Sequence, residues 1–116
     1  MQPIWLNDWK DFNTEKLEVV FGLEKDELKD IEILLASYKE SDDSGYAFIL
    51  LRSDQKLYEV NASHDSAIDF QDQWQPEETS IEVLLHRLNI GNLGSAESGE
   101  NIFAQPLKKL FSKLMQ

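Results

Sequence analysis

Hydrophobic residues recur at helical spacing in some stretches of this chain and crowd into short strand-like runs in others. In residues 14–23, Leu17, Val20 and Phe21 fall at i, i+3 and i+4, with Thr14 placed to cap the start and Gly22 to stop the turn; this predicts a short first helix. Trp5 and Trp9 stand four apart and could extend it as a preceding turn with two indoles on one face, but the favoured expectation is that they cover one end of the core. From residue 31 the pattern changes. Ile31, Ile33, Leu35 and Ser37 alternate onto one face, Ser41-Asp42-Asp43-Ser44-Gly45 supplies a turn, and residues 46–51 are apolar and aromatic. Ser53-Asp54-Gln55 breaks that run, and Leu57, Tyr58 and Val60 begin a third. Two turns joining three such runs predict a three-stranded antiparallel meander, although residues 27–38 also tolerate a helical reading.

Residues 61–75 have no sustained period and the Asn, Ser, His, Asp and Gln content of a loop. Loops of this length in compact domains are usually functional or disordered, and Ile68, Phe70 and Trp74 give this one apolar surface to pack back with. An ordered, functional loop is therefore expected. Pro76-Glu77-Glu78-Thr79-Ser80 reads as the opening of a helix, capped by either hydroxyl, in which Ile81, Leu84, Leu85 and Leu88 form one stripe ended by residues 89–91. Residues 91–105 have the Gly and Ser content of a linker. After Pro106, Leu107, Leu110, Phe111, Leu114 and Met115 share a face opposite Lys108, Lys109 and Lys113, which makes a basic amphipathic helix. The expected architecture is α+β: the meander packed with N-terminal and C-terminal helices, as a domain over 1–90, a linker over 91–105 and a final helix over 106–116.

A chain of 116 residues is the size of one core. It has no cysteine, so disulfides, thiolate catalysis and cysteine-based zinc sites are excluded. No stretch approaches the roughly 18 apolar residues of a membrane span, and the N-terminus lacks the basic and apolar regions of a signal peptide; a cytoplasmic protein is expected.

The formal net charge is −11, the wrong sign for a protein that must neutralise phosphates, so direct nucleic-acid binding is not expected. The charge is also unevenly placed. Between Lys56 and Arg87 there is no Lys or Arg, while Glu59, Asp65, Asp69, Asp72, Glu77, Glu78 and Glu82 all fall there. Interleaved with Tyr58, Phe70 and Trp74, these carboxylates combine aromatic anchors with rim charges able to steer a basic partner. The plainer account is that the rings pin the loop to the core and the acids are solvated.

His64 is the one group in this region that titrates near neutral pH, and with Glu59 or Asp69 it could serve a small hydrolase or transferase. No nucleophile motif or metal-ligand spacing accompanies it, so neither catalysis nor any metal or cofactor is expected. Gly91-Asn92-Leu93-Gly94 follows a helix and lacks the Lys-Ser/Thr ending of a phosphate loop. The C-terminal helix can fold back, dock on a partner or a second copy, or touch a membrane, in that order of expectation.

Three segments, Gly45-Tyr46-Ala47-Phe48-Ile49-Leu50-Leu51, Lys56-Leu57-Tyr58-Glu59-Val60-Asn61-Ala62-Ser63-His64, and Gln73-Trp74-Gln75-Pro76-Glu77-Glu78-Thr79 with the helix after it, resemble a family of small uncharacterised bacterial and phage proteins. That family carries a YEVN-x-SH and a QW-x-PEET segment. It usually has a Cys-x-Cys pair after SH, where this chain has Asp65-Ser66-Ala67, so no thiol or metal role carries over. The resemblance implies that Tyr58, Glu59, Asn61, Ser63, His64, Trp74, Pro76, Glu77 and Glu78 form one local unit.

The functional expectation is an acidic protein-binding module that blocks or sequesters a basic protein, as an immunity protein does a toxin or an anti-CRISPR does a nucleic-acid enzyme. The expected contact set is Tyr58, Glu59, His64, Asp65, Asp69, Phe70, Asp72, Trp74, Glu77, Glu78 and Glu82. A scaffold subunit that self-associates through the C-terminal helix is a further alternative.

Overall fold

A computed structural model describes residues 2–42, 44–64, 70–95 and 99–115, with the side chain of Ser41 outside that set. The chain divides into two compact units, residues 1–78 and 79–116.

The first unit is built on the meander read from the sequence. Strands β2 (Glu32–Ser41), β3 (Ser44–Ser53) and β4 (Lys56–His64) pair antiparallel in chain order. Asp54 and Gln55 take φ of 52° and 67°, as a type I′ hairpin turn requires. The sheet is wider than the expected three strands. Residues Ile4–Asn7 form β1, parallel to β2 with Trp5 opposite Ala36, and Glu77–Thr79 form β5, giving a five-stranded mixed sheet in the order β1-β2-β3-β4-β5. Trp5 therefore lies in a strand rather than in a helical turn, and Glu77–Thr79 are extended rather than the opening of a helix. The β1 pairing joins residues about thirty positions apart, which local periodicity cannot register.

A bulge at Leu34 between Ile33 and Leu35 also changes the expected alternation. An inserted residue moves everything after it to the other face. Ile33, Ala36 and Tyr38 consequently share the core with Ile49, Leu51 and Val60, while Leu35 and Ser37 point away.

Helix α1 (Thr14–Val20) lays Leu17 into this core, joined by Phe21 just after the helix. Its N-cap is Asn13, whose Oδ1 accepts from Lys16 N at 2.9 Å, so Thr14 is the first helical residue instead of the cap. The helix ends in a Schellman motif: Leu23 N donates to Glu18 O and Gly22 N to Val19 O, with Gly22 at φ 68°. Both ladder edges beside the β2–β3 turn are finished by side chains. On β2, Asp8 Oδ2 accepts from Glu40 N at 2.7 Å; on β4, the Gln73 amide bonds Ser63. Closing edges in this way removes templates for strand addition.

The second unit holds α2 (Ile81–Asn89) and α3 (Ala104–Leu114), which touch each other. Ser80 caps α2, with Oγ accepting from Val83 N at 3.2 Å. In the described part of residues 91–105, Ile102 N and Phe103 N both donate to Gly94 O, and Leu93 and Phe103 are buried. Leu107, Leu110 and Phe111 of α3 are buried, whereas Lys109, Lys113 and Met115 are exposed. Among the described residues no helix is long and apolar enough to cross a membrane.

Candidate functional site

Strand alternation on β4 sorts its side chains before any site can form. Tyr58, Val60 and Ala62 face the α1 core, with His64 in phase, while Glu59, Asn61 and Ser63 face the other way.

On the core face the aromatic residues form a continuous stack. Phe12 lies flat on Trp9 at 4.7 Å and 5°, Trp9 on Tyr38 at 5.4 Å and 27°, and Tyr38 on His64 at 5.7 Å and 21°. Phe70 meets the last three rings edge-on, at 79° to Trp9, 87° to Tyr38 and 84° to His64, and stacks on Phe21. Edge-to-face and offset-stacked arrangements are the ones the ring quadrupoles favour. Phe70 is thus a wedge that seats the start of the 70–78 segment in the core.

Tyr38 and His64 also share a hydrogen bond, phenol oxygen to Nε2, at 2.5 Å. Burial first, and the nearby carboxylates of Glu40 and Asp8 after it, push the Tyr38 pKa above its ordinary value, so the phenol keeps its proton. The pair closes over Gly45. A Cβ there would collide with the Tyr38 hydroxyl and approach His64 Nε2 to 2.6 Å, so any larger residue must displace one of these rings.

Past Phe70 the chain is clamped to the edge of β4. Gln73 Oε1 accepts from Ser63 N at 3.1 Å and its Nε2 donates to Ser63 O at 2.8 Å, so one carboxamide completes the ladder as a neighbouring strand would. Trp74 packs edge-on to Phe21 at 5.2 Å. With Phe70, Gln73 and Trp74 turned inward, Asp72 (φ 66°), Gln75, Glu77 and Glu78 are left exposed. Glu78 and Lys56 are 3.4 Å apart, an exposed pair of the kind worth little.

Beside the clamp lies a polar pocket of about 230 Å³ lined by Glu59, Asn61, Gln73, Gln75 and Glu77. Its floor is ordered: the Tyr46 hydroxyl donates to Asn61 Oδ1, and Asn61 Nδ2 donates to Glu59 Oε1 at 2.7 Å, with Glu59 only 6% exposed.

The expected contact residues are therefore placed in several settings. Asp72, Glu77 and Glu78 share the exposed segment. Tyr58 and Trp74 are half-buried against the core, and Phe70 is buried within it. Glu59 is buried on the sheet face away from His64, so alternation keeps that carboxylate and the imidazole from forming a dyad. Asp65 and Asp69 lie outside the described residues. Glu82 is exposed in the first turn of α2, in the second unit.

Participants absent from the expected contact set include Tyr38, Asn61, Gln73 and Gln75. Tyr38 gave no signal, being distant in sequence from everything it touches. Gln73 and Gln75 flank Trp74, and the Gln73–Ser63 clamp joins the two segments whose resemblance implied one local unit. Among the described residues, no group of three or more His, Asp or Glu could hold a metal ion. No family model matches the chain, and neither a curated protein nor a solved structure matches it.

Proposed function

We propose that this chain is an acidic protein-binding module that blocks or sequesters a basic protein, presenting the segment of residues 70–78 as its docking surface. The observation that carries the reading is that this segment combines fixed backbone with outward carboxylates: Phe70, Gln73 and Trp74 hold it while Asp72, Glu77 and Glu78 face solvent. A pre-ordered surface loses little entropy on binding, and its charge speeds encounter with a basic partner.

Charge partition between the units supports the same reading. Residues 1–78 hold nineteen Asp and Glu against seven Lys and Arg, a formal −12; residues 79–116 hold three against four, a formal +1. The field that would steer a partner therefore originates in the unit that contains the segment. Self-association through α3 is the weaker reading, because Leu107, Leu110 and Phe111 are already buried in the single chain.

The test pairs two variants of equal charge change. Asp72→Asn, Glu77→Gln and Glu78→Gln together should abolish capture of the partner, while Glu15→Gln, Glu18→Gln and Glu24→Gln together should leave it. Equal capture by both variants, or equal loss in both, would sink the proposal.

A further inference from the structure

We propose that the pocket between β4 and residues 73–77 is a receptor for one guanidinium group, the side chain of an arginine on the basic partner. The inference rests on the docking reading above and specifies the contact at its centre.

The lining sets the ligand's charge and shape. Glu59 and Glu77 contribute two carboxylates, Asn61, Gln73 and Gln75 contribute carboxamides, and among the described residues no Lys, Arg or His lines the pocket. Such walls are rich in acceptors and carry formal negative charge, so they suit a cation with several N–H donors. A metal ion is the poorer match, since among the described residues no cluster of three His, Asp or Glu exists to ligate one. A cavity of about 230 Å³ is smaller than the ~300–1,000 Å³ typical of small-molecule sites, which favours a single side chain over a cofactor.

Between the two basic side chains, arginine fits better. Its planar fork offers five donors to acceptors spread around a rim, and it is more weakly hydrated than an ammonium. Arginine is also enriched among residues that dominate binding energy by entering ordered pockets. Order is what these walls have. Gln73 is fixed twice to the Ser63 backbone, and Asn61 is held between Tyr46 and Glu59. Glu77 lines the pocket and is exposed, so its carboxylate is accessible to an entering guanidinium.

The experiment is an NMR titration of the full chain with N-acetyl-arginine amide, beside matched titrations with N-acetyl-lysine amide and with sodium chloride at equal ionic strength. Saturable shifts confined to Glu59, Asn61, Gln73, Gln75 and Glu77 are expected with the arginine probe, weakened about fivefold or more in Glu77→Gln and unchanged in Glu15→Gln. Shifts spread over the acidic surface, or equal for all three titrants, would overturn the proposal. If that happens while partner capture still depends on Asp72, Glu77 and Glu78, the pocket assignment fails and the docking surface stands; if capture is also indifferent, both fail.

Discussion

Replacing Phe70 with alanine removes the wedge that seats the acidic segment, and the structure sets the size of the effect. The ring is 6% exposed, stacks on Phe21 at 5.4 Å, and meets Trp9, Tyr38 and His64 edge-on. Truncating a buried Phe to Ala costs about 3–5 kcal/mol through lost transfer energy and the cavity left behind. Four aromatic partners put this site in the upper part of that range. Domains are stable by only about 5–15 kcal/mol, so a third or more of the total would go, and the melting temperature would fall by roughly 10–20 °C.

Urea unfolding followed by tryptophan fluorescence reads the correct unit, because Trp5, Trp9 and Trp74 all lie in residues 1–78. Gln73→Ala is the contrast. It removes two exposed hydrogen bonds worth roughly 1–2 kcal/mol together, and its main effect should be faster amide exchange at Ser63 with a smaller shift in the urea midpoint. A loss below about 1 kcal/mol for Phe70→Ala, or one no larger than for Gln73→Ala, would refute the idea that the aromatic wedge holds the segment.

Three further outcomes follow from the same geometry. Gly45→Ala should cost about 1–3 kcal/mol, read by thermal melting, because the added methyl must displace Tyr38 or His64 from a packed stack. Gln55→Gly should stabilise by roughly 0.5 kcal/mol, since the type I′ turn holds Gln55 at φ 67°; a destabilised variant would show the turn is not strained there. Tyr38 has a folded-state pKa above the ordinary 10.0, so on raising pH the unfolded chain loses that proton first. Its contribution to stability is then complete below about pH 10 and disappears as pH climbs through the folded-state value. The urea-midpoint gap between wild type and Tyr38→Phe should accordingly shrink across the alkaline range, and a gap that widens would contradict the assignment.

The elements legible in the sequence are those whose signals are local. The meander announced itself through two turn clusters, α2 through a four-residue apolar stripe and a hydroxyl cap, and α3 through its division into lysine and leucine faces. Strand β1 was hidden because Trp5 and Trp9 imitate a helical pair while the true partner strand lies about thirty residues away. Strand β5 was hidden by Glu77 and Glu78, poor strand formers that are favoured at helix starts. The bulge at Leu34 reversed the faces assigned to Leu35 and Ser37, and no residue type marks it.

The acidic segment itself could be read as a run without cations. What could not be read is which of its members are inward. Phe70 is fixed by rings contributed from residues 9, 21, 38 and 64, and that convergence exists only after the sheet has formed.

The most direct measurement is the association rate constant of the captured partner as a function of ionic strength, for wild type and for the Asp72→Asn, Glu77→Gln, Glu78→Gln triple variant. Electrostatic steering predicts that the wild-type rate falls about tenfold or more between low and high salt and that the triple variant starts slower with a flatter dependence. Superimposable salt curves for the two proteins would contradict the claim that this fixed acidic segment is where the partner docks.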